Sequence, residues 1–183
     1  MPNWCNNELL ISHTDRTMID RVVKAWERGQ FLQEFIPVPQ ALIDTTAGSP
    51  TDEVKDADNQ AKYGHANWYS FRVKEWGTKW DVGYNEDYDN EARRVGENSV
   101  FLEFDSAWSP PLKAYEKLVD MGFIIDACYF EGGMGFCGDF FGDFNGIKED
   151  YHEFKNVSDI PAKFREKFGI LYEEPNEADE IEE

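Results

Sequence analysis

The stretch EWGTKWD, Glu75 to Asp81, sets two indoles, an ammonium and two carboxylates within seven positions. An indole has a large apolar face and one N–H that needs a partner when buried, so two so close together mean paired packing or a surface built for contact. With Trp76 closing a helix and Trp80 entering a strand, Gly77 and Thr78 form the joint. The indoles then pack around Trp108 of FDSAWSPP as a buried corner fixing helix to sheet. The competing reading is an open aromatic pocket around Trp76, Trp80 and Trp108. In it Lys79 and Asp81 are polar handles, and Ser109 sits at a helix N-terminus able to hold an anion.

No catalytic set emerges elsewhere. The glycine-rich run GGMGFCGDFFGDFNG lacks the lysine and hydroxyl of a phosphate-cradling loop and does not follow GxGxxG across a strand-to-helix turn. Its glycines suit tight turns and bare backbone beside Phe136, Phe140, Phe141 and Phe144. Cys5, Cys128 and Cys137 are odd in number and widely spaced, which reads as reduced, buried thiols. Neither Cys5 nor Cys137 has a histidine beside it in sequence. His13, His65 and His152 lie far from the cysteines, and no zinc-type spacing exists. Asp139 and Asp143 could pair for acid–base work, but among 37 acids such pairs arise by chance. No catalytic residue, metal ligand or cofactor is assigned, and the chain reads as non-enzymatic.

Charge is the strongest compositional signal. Thirty-seven acids against 18 bases give a net charge of -19 over 183 residues, which argues against direct nucleic-acid or anionic-membrane binding. By region the balance is -2 for residues 1–50, -5 for 51–114 and -12 for 115–183. A basic-surfaced partner protein fits this composition, as does plain solubility. The candidate partner-binding carboxylates are Glu86, Asp87, Asp89 and Glu91 in one acidic loop, and Asp139, Asp143, Glu149 and Asp150 in and after the glycine-rich run. EEPNEADEIEE, Glu173 to Glu183, has seven acids and no base and reads as a solvated tail. No apolar run reaches membrane-spanning length and the N-terminus lacks signal-peptide features, so a cytoplasmic protein is expected.

Periodicity supplies the scaffold. NELLIS reads as a first strand, followed by a helix in DRTMIDRVVKAWERG with Asp15 as N-cap and Gly29 as stop. FIPVPQAL reads as an extended connection. Residues 44–66 read as a polar insertion with one short helix, and NWYSFRVKEWG as a helix ending at Gly77. KWDVGYN and SVFLEFDSAW read as antiparallel strands around an acidic loop. In SPPLKAYEKLVDMGF, Ser109 is the expected N-cap and Pro110 the first helical residue. FIIDACYFE reads as a further strand, the glycine-rich run as an added hairpin, and SDIPAKFREKFG as a last helix. The order strand, helix, strand, strand, helix, strand is the split βαβ arrangement of an α+β ferredoxin-like fold with both helices on one face of an antiparallel sheet. One domain over 1–171 with an acidic tail at 172–183 is expected.

Four phrases together, MPNWCNN, EWGTKWD, FDSAWSPP and FEGGMGFCGDFFG, resemble the YubB ferredoxin-like family of phage and plasmid proteins over most of residues 1–145. The resemblance implies the same fold and a mobile-element origin; the family brings no established activity or catalytic residues. The leading functional expectation is a phage or plasmid accessory protein that binds a host or defence protein, in its sharper form as an acidic mimic of nucleic acid. A small-molecule or nucleotide binder using the aromatic pocket is the alternative.

Overall fold

The computed structural model describes residues 3–46 and 53–172. From Trp4 to Ser12 successive side chains alternate, as a pleated strand requires. Cys5, Asn7, Leu9 and Ile11 are buried on one side, while Trp4, Asn6, Glu8 and Leu10 face the other. This strand, β1 (Trp4–Ser12), is central. It pairs antiparallel with β3 (Ser99–Ala107) on one edge and with β4 (Ile124–Glu131) on the other. Adding β2 (Arg93–Gly96), β5 (Phe136–Asp143) and β6 (Gly146–Glu153) gives the order β2-β3-β1-β4-β5-β6.

Helix α1 (Arg16–Glu27) starts where the Asp15 carboxylate accepts the Thr17 N–H at 2.8 Å, and it stops before Gly29, at φ +66°. Ile19, Val22, Ala25 and Trp26 recur at helical spacing and are buried. Short helices α2 (Phe31–Phe35) and α3 (Gln40–Ile43) follow, then α4 (Glu53–Tyr63), α5 (Trp68–Glu75) and α6 (Leu112–Asp120). The core lies between α1, α2 and α6 and the inner face of the sheet, where Trp26, Phe31, Tyr115 and Leu118 meet Leu9, Leu102 and Ile125. On the outer face, α7 (Ala162–Lys167) and the turn before it lay Ile160 and Phe164 over Cys128 and Cys137. The protein is thus a mixed α+β protein built on an open antiparallel sheet of six strands among the described residues.

Several expectations are corrected. KWDVGYN is not a strand. Its backbone serves helix ends instead: Val82 C=O accepts the Phe31 N–H at 3.1 Å, Tyr84 N–H donates to Trp26 C=O at 2.8 Å, and Gly83 lies so close to Gly29 that a side chain has no room. The strand beside β3 is Arg93–Gly96, inside the segment expected to be acidic loop. FIPVPQAL is extended only between α2 and α3. Ser109 does not cap α6, which begins at Leu112 with Pro111 at its N-cap, because the Ser109 hydroxyl donates instead to Gly77 C=O at 2.5 Å. The expected tail lies outside the described residues from position 173, as do residues 47–52 of the expected insertion; the rest of that insertion carries α4.

Candidate functional site

The phrases that stand far apart in sequence meet at one end of the sheet, where β1 begins and β3 ends. Trp108 N–H donates to Asn3 C=O at 2.9 Å, the Thr78 hydroxyl to Ala107 C=O at 3.0 Å, and Ala114 N–H to Trp76 C=O at 3.1 Å. The three tryptophans do not form one cluster there. Trp76 is 0% exposed and satisfied, its N–H donating to Ile36 C=O at 2.9 Å with the Arg72 guanidinium over its ring. Trp80 is 36% exposed and stacks at a tilt on Trp4, itself 45% exposed, with centroids 5.6 Å apart. Trp108 is half-buried, edge-on to Tyr69 at 6.4 Å, and sits at φ +68°, a left-handed backbone that a bulky residue rarely adopts. Lys79 bridges the outer pair: its Nζ lies 4.9 Å from the Trp80 centroid and 5.1 Å from that of Trp108.

Asp81 is a structural cap. Its carboxylate accepts the N–H of Leu32 at 2.7 Å, of Gln33 at 3.0 Å and of Val82 at 2.9 Å, closing the first turn of α2. Burial pushes its carboxyl up to about 6 against the pull of those donors.

Beside the Trp4–Trp80 pair opens a groove of about 740 Å³ between the outer half of β3 and the loop of residues 80–90. Its lining contains five acids, Glu8, Asp81, Glu86, Glu103 and Asp105, and no lysine or arginine. Glu8 reaches Lys167 at 3.2 Å and Asp105 accepts from Asn6 at 2.6 Å, while Glu103 and Glu86 make no ion pair among the described residues. Tyr84 and Tyr88 add aromatic surface to the same walls.

The other candidate carboxylates divide. Glu86, Asp87, Asp89 and Glu91 are all exposed on the loop that walls the groove, with Glu86 in its lining. Asp139 and Asp150 are both held by Lys163 at 2.6 Å, which keeps the Asp150 carboxyl below its ordinary range. Asp143 accepts the Asn145 N–H at 2.7 Å inside the β5–β6 turn, and Glu149 faces the opposite side of the sheet from Asp139 and Asp150. They form no common surface. The cysteines are free and buried; burial, then Asp139, pushes the Cys128 thiol up to about 12, and Cys137 stands at about 11, so neither is a nucleophile at neutral pH. Among the described residues no group of three or more histidine, cysteine or carboxylate side chains is placed to hold a metal, and no helix is long and apolar enough to cross a membrane.

Sequence reasoning missed Trp4, Asn6, Glu8, Glu103 and Asp105 as site residues. The available signal was period two: Trp4, Asn6 and Glu8 alternate with Cys5, Asn7 and Leu9, which puts a tryptophan on the polar face of a strand.

Fold and site thus describe an α+β protein with an acidic, aromatic groove at one sheet end. No family model matches the chain, and no curated protein matches it. Among solved structures it is similar to the protein api92 from Yersinia pseudotuberculosis, of the family DUF1281, with 11% identity, a TM-score of 0.46, and cover of 85% of this chain and 99% of that one.

Proposed function

We propose that the protein is a non-enzymatic binding protein whose groove takes a basic segment of a partner protein. The observation that carries this is the lining itself: it has no lysine or arginine, and with Asp81 capping α2 and Glu8 held by Lys167 it still offers Glu86, Glu103 and Asp105, which make no ion pair among the described residues, beside the exposed Trp4 and Trp80. Carboxylates attract lysine and arginine side chains, and indole faces accept their cationic ends. The YubB resemblance and the strand order β2-β3-β1-β4, with α1 and α6 packed on one face, support a ferredoxin-like fold and an accessory role in a phage or plasmid. The partner is then a host or defence protein in the host cytoplasm, engaged where it would otherwise meet nucleic-acid phosphates.

The test is the affinity of a captured basic host protein across a salt series, repeated with Glu103→Gln together with Asp105→Asn, and separately with Glu86, Asp87, Asp89 and Glu91 changed to amides. Affinity should fall about tenfold or more as salt rises, and both variants should weaken it. Salt-insensitive binding that ignores both variants overturns the reading. The reading then becomes a small-molecule or nucleotide site on Lys79, Trp80 and Trp108, favoured by the Lys79 ammonium between two indoles, which makes no ion pair among the described residues. Trp76 is buried away from that surface.

A further inference from the structure

The groove also contains a length of unpaired sheet edge. Trp108 N–H donates to Asn3 C=O and His13 N–H to Asn98 C=O, which fixes the alternation of β3. Its even residues from Val100 to Ser106 bond to β1, so its odd residues turn their backbone groups to the opposite edge. Strand β2 covers that edge only around Ser99 to Phe101. Beyond it, Glu103 C=O accepts the Asn90 amide at 3.0 Å and Ala107 C=O accepts the Thr78 hydroxyl at 3.0 Å. Between them Asp105 has neither backbone group paired, and the N–H groups of Glu103, Asp105 and Ala107 meet no acceptor among the described residues. A row of outward N–H groups along a strand is a template for another strand.

We propose that the partner's basic segment binds in extended form by adding a strand to β3 at Glu103–Ala107. This rests on reading the groove as a partner site and specifies how it is used. In an antiparallel addition, the residues opposite Glu103 and Asp105 place their side chains on the same outer face as these two carboxylates, about 5 Å away between Cβ atoms, so lysine or arginine belongs there. The residues between turn to the inner side of the groove, where Val82 and Phe104 lie. Charge selects the occupant. A second copy of this chain brings a net charge of -19 to an acidic groove, and the chain's own segment 173–183 brings seven acids and no base. The anchored ends of the loop, Thr78 on Ala107 and Asn90 on Glu103, hold the middle of the edge open where Asp105 lies.

The probe is an acetylated and amidated octapeptide alternating lysine and valine, with the full chain, read by calorimetry and by amide exchange of the protein. When the strand adds, the lysine N–H groups point at β3 and the valine N–H groups point away. N-methylation of the lysines should therefore weaken binding by about tenfold or more, and N-methylation of the valines by less than about twofold. The Asp105 N–H should become protected from exchange on binding. Asp105→Pro removes that N–H while leaving the backbone bonds to β1 intact, and should lose binding well beyond Asp105→Asn. If the peptide binds but both methylated forms bind alike and Asp105 exchanges unchanged, strand addition is wrong and the basic-partner reading stands. If neither this peptide nor its arginine counterpart binds at low salt, both fail. The methylated peptides keep the outcome decisive even if Asp105→Pro does not fold.

Discussion

The outer face of the sheet has two halves built from the same alternation, and they end differently. Over β4, β5 and β6 the apolar outer side chains Cys128, Phe130 and Cys137 are covered by Ile160 and Phe164, and the carboxylates Asp139 and Asp150 are neutralised by Lys163. Over β1 and β3 the outer side chains Trp4, Glu103 and Asp105 face an open groove whose lining has no base. The strands themselves hardly differ in type. What differs is whether a later segment arrives carrying apolar groups and an ammonium, so covered and open halves are decided by a helix elsewhere in the chain.

The largest expected effect tests the cover. Phe164→Ala should destabilise the protein by about 3 kcal/mol or more in urea denaturation, as buried aromatic truncations do, whereas Trp80→Ala on the open half should cost no more than about 1 kcal/mol. Equal costs would erase the contrast. Asp81→Ala should cost about 1 kcal/mol by leaving the first turn of α2 uncapped, loosening the groove wall. Its pH signature has a definite sign. Because the folded carboxyl is raised from 3.8 to about 6, its contribution is fully present below 3.8 and fades as pH rises through about 6. The stability difference between wild type and Asp81→Asn should therefore shift against wild type between those values, and a flat difference contradicts the burial argument. The smallest effect sharpens the comparison: Lys163→Ala should leave stability nearly unchanged, since exposed ion pairs contribute little, yet raise the Asp150 carboxyl in an NMR titration because its main hydrogen-bond donor is gone.

Much of the scaffold is legible in sequence because its signals are local. Asp15 before Met18, Ile19, Val22 and Val23, and the alternation of Val100, Leu102 and Phe104, each need only one element to be read. The second strand is not legible. Arg93–Gly96 is four exposed residues with no apolar pattern, and it is held by its neighbours: the Arg93 guanidinium lies 4.7 Å from the Phe101 ring centroid and Arg94 pairs with Asp20. KWDVGYN reads as a strand because its residue types suit one, but the glycine contact at Gly29 and the open ends of α1 and α2 claim its backbone first. The candidate pocket was half legible for a related reason. Trp76, Trp80 and Trp108 all lie near one sheet end, but whether an indole points to the core or to solvent depends on Ile36, Trp4 and Tyr69, which nothing in the local pattern names.

The central position of β1 has a consequence in time. Its partners begin at residue 99 on one side and 124 on the other, so once β1 has left the ribosome, synthesis must continue for on the order of ten seconds before both flanking strands exist. Until β3 emerges Leu9 and Ile11 have no strand to pair with, and until β4 follows they have one on a single side only. The nascent chain is therefore most exposed to chaperones, and to misassociation with its neighbours on a polysome, through the strand that ends up best protected.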